Sequence, residues 1–305
     1  MPDDLMGAAR YKFWREEEAR EKFYVKGERF EGAVSYEAGS LSAYKFVIGV
    51  LKICLKKGLE LYTNTTVQNV EREGEGWLVK TSKGMVRARR VVLATNGYTA
   101  SLFRRFQGAI VPLRGQVTAH RPGRGMPKSG LGVTYSFIYG DGYDYMIPRP
   151  KGTRFDSDIV IGGGLARARD EGLEEFGMVD DTSLNPEISV YLYETAQRYF
   201  GESWGEDHED GRIRKEWTGI MGYSPDGFPF IGEVPEEKGL WIAASFQGHG
   251  MVLCFSSAKA LVAMMNGEEN SLDSWFPEVF KVTEERIRTP FAGKLHMKPI
   301  ELEKA

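Results

Sequence analysis

The sequence predicts a mixed α/β (α+β) protein, in which a parallel-sheet domain is interrupted by a mainly antiparallel one. Three observations carry that prediction. Arg90-Val91-Val92-Leu93-Ala94 and Gly239-Leu240-Trp241-Ile242-Ala243-Ala244 have the continuous apolar character of strands buried on both faces. Each runs into a glycine-bearing turn and then a helical pattern, through Asn96-Gly97 in the first case and Gly248-His249-Gly250 in the second. Between them, from Ile110 to about Ile220, long strand candidates dominate. A length of 305 residues has room for about two domains.

The elements follow in order. Met6 to Lys22 is helix-prone and highly charged, with a Glu16-Glu17-Glu18 run, and reads as a solvated helix or frayed end. Leu41, Tyr44, Val47, Ile48, Leu51, Cys54 and Leu55 recur at helical spacing, with Ser40 as N-cap and Gly58 as stop, which predicts an amphipathic helix. Leu59 to Tyr62 reads as a short strand. Thr66–Arg72, Trp77–Thr81 and Gly84–Ala88 are joined by short Gly-bearing or charged links, as in a β-meander. In the middle section, strands are predicted at Ile110–His120, Val133–Tyr139, Tyr143–Pro148, Asp158–Gly162 and Arg212–Ile220, with one helix at Glu187–Phe200. The last helix opens at Gly248-His249-Gly250 and runs to about Met265.

Composition narrows the function classes. Forty Lys+Arg against 43 Asp+Glu give a net charge of −3, too balanced for a dedicated nucleic-acid binder. No apolar run is long enough for a membrane span. Cys54 and Cys254 match no metal or redox spacing, which favours a reducing, cytoplasmic setting. Glu206-Asp207-His208-Glu209-Asp210 holds one His and reads as a solvated acidic loop, so no metal site is expected. Gly162-Gly163-Gly164 lies inside the antiparallel section and is not read as a dinucleotide fingerprint.

Four segments occur in a telling order: VVLATNGY at Val91–Tyr98, VPLRGQV at Val111–Val117, EWTGIMGYSPDGFPFIG at Glu216–Gly232, and WIAASFQGHGM at Trp241–Met251. From about Phe30 to Gly267 the chain resembles the FAD-dependent oxidoreductases of the D-amino-acid oxidase superfamily, and the W-T-G-I-M-G signature resembles a fungal-type branch. The resemblance implies an incomplete FAD-binding Rossmann-like domain with a β-meander (30–107), an antiparallel substrate domain (108–220), a return to the FAD-binding domain (221–267) and a C-terminal extension (268–305). It also implies cofactor contacts. Ala94, Thr95, Asn96 and Gly97 fall near the FAD ribose and diphosphate, and Val67 near the adenine. Gln247, Gly248, His249, Gly250 and Met251 fall opposite the flavin ring. A physical reason stands beside this. A helix N-terminus offers unpaired N–H groups and partial positive charge, which suits the negative charge of a reduced flavin.

Departures from the family pattern sharpen the expectation. Many amino-acid-oxidising relatives carry an Arg after the W-x-G motif that clamps a substrate carboxylate, and the aligned residue here is Met221. Relatives that attach FAD through Cys in this segment would place it near Gly219, so that covalent route is closed. Tyr143, Tyr145 and Arg149 share one strand segment, with both tyrosines on one face. They are candidates for the substrate pocket or for packing between sheets. Asp144 points the other way and reads as structural or exposed.

No G-x-G-x-x-G turn follows a strand in the first 60 residues, so the sequence joins the family pattern partway through. The strands at Val91 and Leu240 are then expected to lack a neighbour. Three readings stay open: an FAD-dependent oxidoreductase of a small amine substrate, truncated at its N-terminus and impaired in FAD binding; a non-catalytic remnant acting as an interaction protein; and a half-protein completed by an N-terminal fragment.

Overall fold

A computed structural model describes residues 10–27, 30–140 and 142–293. In chain order the elements are β1 (Lys12–Arg15), α1 (Glu16–Phe23), β2 (Gly32–Ser35), α2 (Ala43–Lys56), β3 (Val67–Glu73), β4 (Gly76–Thr81), β5 (Gly84–Ala88), β6 (Val91–Leu93), α3 (Thr99–Leu102), β7 (Val111–His120), β8 (Tyr135–Tyr139), β9 (Gly142–Pro148), β10 (Ile159–Gly162), α4 (Pro186–Phe200), β11 (Ile213–Tyr223), β12 (Phe230–Glu233), β13 (Leu240–Ala244), α5 (Gly250–Met265) and α6 (Glu284–Arg288). None of the described helices is long and apolar enough to cross a membrane.

The chain divides into two compact units. The first comprises residues 1–51, 115–173 and 182–218, and the second 52–114, 174–181 and 219–305. In the first unit lies most of a five-stranded sheet of order β11-β7-β10-β9-β8. Its register is antiparallel, with Ile161 opposite both Thr118 and Met146, and Phe137 opposite Asp144. One face buries Met146, Ile159 and Ile161 against Ile188, Leu192, Ala196 and Phe200 of α4. That helix is well specified: Asn185 caps it by accepting from the Glu187 and Ile188 N–H groups, and Pro186 opens it.

The second unit contains the β3-β4-β5 meander and a three-stranded sheet of order β12-β13-β6. Leu240, Trp241 and Ile242 of β13 pair in parallel with Val91, Val92 and Leu93 of β6. This corrects the expectation that the two apolar strands lack neighbours: they are each other's neighbour, and β12 takes the other edge of β13. Phe106, Ile110, Phe230 and Ile242 form the core beneath, joined by Val282 and Ile287 from the C-terminal segment.

Three further expectations are corrected. Within the Met6–Lys22 segment, whose first four residues lie outside the described residues, the chain forms β1 before α1. β1 pairs with β2 some twenty residues away, and Trp14 Nε1 donates to Ser35 Oγ at 2.8 Å, so a distant partner overrides local helix propensity. α1 is also anchored, through buried Ala19 and Phe23. Leu59 to Tyr62 is not a strand; all four residues are exposed, and no strand pairs with them. α2 forms, starting after Ser42 rather than Ser40, but none of its residues is buried.

Candidate functional site

β6 and β13 run in parallel and end side by side, and the crevice beyond the carboxyl ends of such strands is where α/β sheets bind ligands. Asn96 ties these two ends together. It sits at φ +45°, and its Oδ1 accepts from the Ser245 N–H at 3.0 Å and the Phe246 N–H at 3.2 Å. Asn tolerates this backbone region better than most residues, which explains its presence. Gly97 follows because β11 passes against the turn. A Cβ on Gly97 would collide with the Met221 carbonyl oxygen, and one on Gly222 would lie 2.8 Å from Gly97 N. The two glycines let two backbones touch.

The chain then bends through three left-handed residues into α5. Ser245 and Gln247 have φ +67° and +55°, and Gly248 has +78°. Gln247 N–H donates to Gly222 O at 3.0 Å, and its Nε2 donates to Ser224 Oγ at 2.7 Å and to Ser245 Oγ and O at 3.1 Å. The Gln247 side chain is therefore spent on holding the bend. His249 occupies the N-cap position with no side-chain cap, and its Nδ1 lies 2.9 Å from Gln247 O. Gly248, His249 and Met251 are exposed. The first turn of α5 carries no acidic residue. Helix geometry leaves the Gly250 and Met251 N–H groups without intrahelical acceptors. An exposed, uncapped helix start suits an anionic or electron-rich group.

The other predicted site residues fall as follows. Met221 is half-buried, with its Sδ 3.9 Å from Tyr223 OH, and a Cβ on Gly248 would stand 3.5 Å from that sulfur. The structure thus brings Met221 to the α5 start. Gly219 is exposed with open space above it. Ala94 is exposed and Thr95 half-buried, with Thr95 Oγ1 2.8 Å from Thr99 Oγ1. Val67 opens β3 at a register shift and packs on the core.

In the first unit, Tyr143 and Tyr145 share the sheet face turned away from α4, and the Tyr145 ring lies across Gly162. Burial, with Tyr143 nearby, pushes the Tyr145 hydroxyl up to about 12, so it stays protonated. Arg149 lies just past the end of β9 and lines a groove to which neither tyrosine contributes. Asp144 faces α4 and is fully buried. It accepts from Tyr191 OH at 2.6 Å, Tyr199 OH at 2.8 Å, Gly164 N–H at 3.0 Å and Tyr139 OH at 3.2 Å. Four donors make this buried charge a pin between sheet and helix.

Residues 4–264 match the FAD dependent oxidoreductase family. The chain belongs to that family. The match covers most of the sequence, and FAD is the cofactor of the family. Glycine oxidase of Pseudomonas aeruginosa is 25% identical over 218 residues, which are 70% of this chain and 52% of that protein. Glycine oxidase of Bacillus subtilis is 24% identical over 272 residues, 88% of this chain and 65% of that protein. The chain therefore spans between half and two thirds of the length of these relatives. The crystal structure of glycine oxidase from Geobacillus kaustophilus superposes with a TM-score of 0.70 at 21% identity, over 90% of this chain and 67% of that one, which establishes a shared fold.

Sequence reasoning singled out the turn and the helix start but missed what joins them. The Asn96 clamp spans 149 positions, and the Ser224–Gln247 bond links the segment after β11 to the bend before α5. The only sequence signal for either was an Asn before Gly at the end of a buried strand. The residues present fit FAD in one respect that the geometry itself decides. The exposed, uncapped N-terminus of α5 leaves main-chain N–H groups onto which a flat or anionic group can settle, while Gly97 is itself buried where β11 passes against the turn.

Proposed function

We propose that this chain takes part in the oxidation of a C–N bond in a small amine or amino-acid-like substrate, with non-covalent FAD as the cofactor. FAD, when bound, supplies the acceptor for the hydride that leaves the carbon next to nitrogen. The observation that carries the reading is the Asn96 clamp beside the uncapped start of α5, at the paired ends of β6 and β13.

The chain's own residues would divide the work as follows. Ala94 to Gly97 form the turn that holds the ribose and diphosphate side of the cofactor. Val67 lies toward the adenine. Gly248, Gly250 and Met251 would turn their main-chain N–H groups to the ring, His249 having given its own to Phe246 O at 2.7 Å, and the partial positive charge of the helix start would favour an electron-rich group there. Gln247 acts by holding the bend that aims those groups. Met221, which cannot pair a carboxylate, leaves the substrate side of this segment apolar. Tyr143, Tyr145 and Arg149 are the substrate-side candidates on the antiparallel sheet. No residue is assigned as a general base. Gly219 offers no thiol for covalent attachment, and the W-T-G-I-M-G segment supports a fungal-type branch.

FAD binding is proposed to need a complementing N-terminal segment with a G-x-G-x-x-G turn. The outer edge of β6 supports this, because no described strand pairs with it, and so do the exposed Met251, Val252 and Phe255 of α5. The test is a titration of the purified chain with FAD, with and without such a segment, followed by anaerobic addition of sarcosine or benzylamine. Flavin that co-elutes and loses its visible absorption with an amine supports the reading. Failure to retain flavin under both conditions overturns it in favour of a non-catalytic interaction protein.

A further inference from the structure

A groove of about 2490 Å3 is lined wholly by residues of the first unit. Small-molecule sites occupy roughly 300–1,000 Å3, so this volume points to a macromolecular segment. Its lining comes from β8 with the loop before it and from β1, β2 and the segment after them.

β8 is the last strand of the five-stranded sheet, and among the described residues it pairs only with β9. In an antiparallel pair, every second residue turns its N–H and C=O away from its partner. The edge is unprotected: Tyr135-Ser136-Phe137-Ile138-Tyr139 contains no charge and no proline, and Ile138 is 85% exposed. Natural edge strands of this kind are normally blunted or paired.

The charge of the groove selects the occupant. Its lining includes five Lys or Arg side chains, Arg149 and Lys151 among them, against two carboxylates, Glu31 and Glu202. Arg149 Nε is buried and has no hydrogen-bond partner. The backbone of Arg149 is fixed by its N–H donating to Asp158 O at 2.8 Å. A buried donor without a partner is a costly arrangement unless an acceptor arrives.

We propose that an acidic, extended peptide segment of a partner protein pairs with the free edge of β8 and sets its carboxylates against Arg149 and Lys151. Main-chain bonds would supply affinity, and the cationic rim would choose between sequences.

The probe is a fluorescein-labelled peptide of alternating glutamate and valine, mixed with the full chain and read by fluorescence anisotropy. Saturable binding is expected, weakened at least roughly tenfold by the Arg149→Ala/Lys151→Ala double variant. The same peptide N-methylated at alternate residues keeps its charge but cannot pair, and is expected to lose binding to a similar degree. That peptide-side control does not depend on a variant folding. Equal binding of the N-methylated peptide, or of a lysine–valine counterpart, overturns the proposal. So does tighter binding of a labelled oligothymidylate. A dimer in sedimentation that Ile138→Lys dissociates would assign the edge to a second copy of this chain instead, and would also overturn it.

Discussion

α4 and α5 are almost equal in length, 15 and 16 residues, yet their surroundings differ sharply. α4 is capped by Asn185 and buries Ile188, Leu192, Thr195, Ala196 and Phe200 beneath a sheet that the same chain supplies. α5 has no side-chain cap and leaves Met251, Val252, Phe255 and Val262 exposed, burying only Ser257, Ala260, Leu261 and Met264. A helix finds its stability mostly in the packing of its apolar face. α4 is complete within the described chain. α5 is half complete, and its bare end is the end that the proposed cofactor would meet. The difference teaches where structure has been spent on packing and where it has been left for a ligand or partner.

Five substitutions test the contrast. The largest effect is expected where backbones touch. Gly97→Val drives a side chain into the Met221 carbonyl and should cost about 3 kcal/mol or more in urea denaturation, with loss of any flavin retention. The helices themselves come next. Leu192→Ala in α4 should cost about 3 kcal/mol. Phe255→Ser in α5 should stay within about 0.5 kcal/mol of the parent. Equal costs at the two positions would erase the distinction drawn here.

A smaller effect belongs to His120, buried on the α4 side of the sheet beside Trp204, with Nε2 3.0 Å from Thr118 Oγ1. Burial, aided by Arg212 and opposed by Asp207, lowers its pKa from 6.5 to about 3. The unfolded chain therefore takes up this proton first, and stability is lost as pH falls through that window. The loss approaches about 1.4 kcal/mol per pH unit below the unfolded value. His120→Gln should flatten the stability–pH slope between pH 6.5 and about 5, where few carboxylates titrate. An unchanged slope would show that this histidine charges freely in the fold. Asn185→Ala is expected to cost about 1 kcal/mol through the lost cap, read by urea denaturation.

Much of the fold was legible because it is local. The meander strands need only short turns and a period of two, and Gly84–Ala88 falls where its spacing predicts. Val91 to Leu93 was legible as a strand because a short apolar run that ends in turn residues suits one, but Val92 is exposed, so the expected burial on both faces is not met among the described residues. β1 was not, because Lys12 to Arg15 becomes a strand only by meeting Gly32 to Ser35. α2 shows the limit from the other side. Its periodicity predicts a helix, and a helix forms, but periodicity cannot say what covers the apolar face. The site divides in the same way. Asn96-Gly97 and Gly248 stand out in sequence as turn residues. The bond from Ser245 N–H to Asn96 Oδ1 joins residues far apart in the chain and is visible only once the parallel strands have paired.

The central claim is that the turn after β6 and the start of α5 form one main-chain surface for FAD. Hydrogen–deuterium exchange with and without FAD, in the presence of the complementing N-terminal segment, tests it most directly. Slowed exchange is expected across residues 94–97 and 247–251 together, with α4 unchanged. Flavin retained by the protein while both segments exchange at their original rates would contradict it.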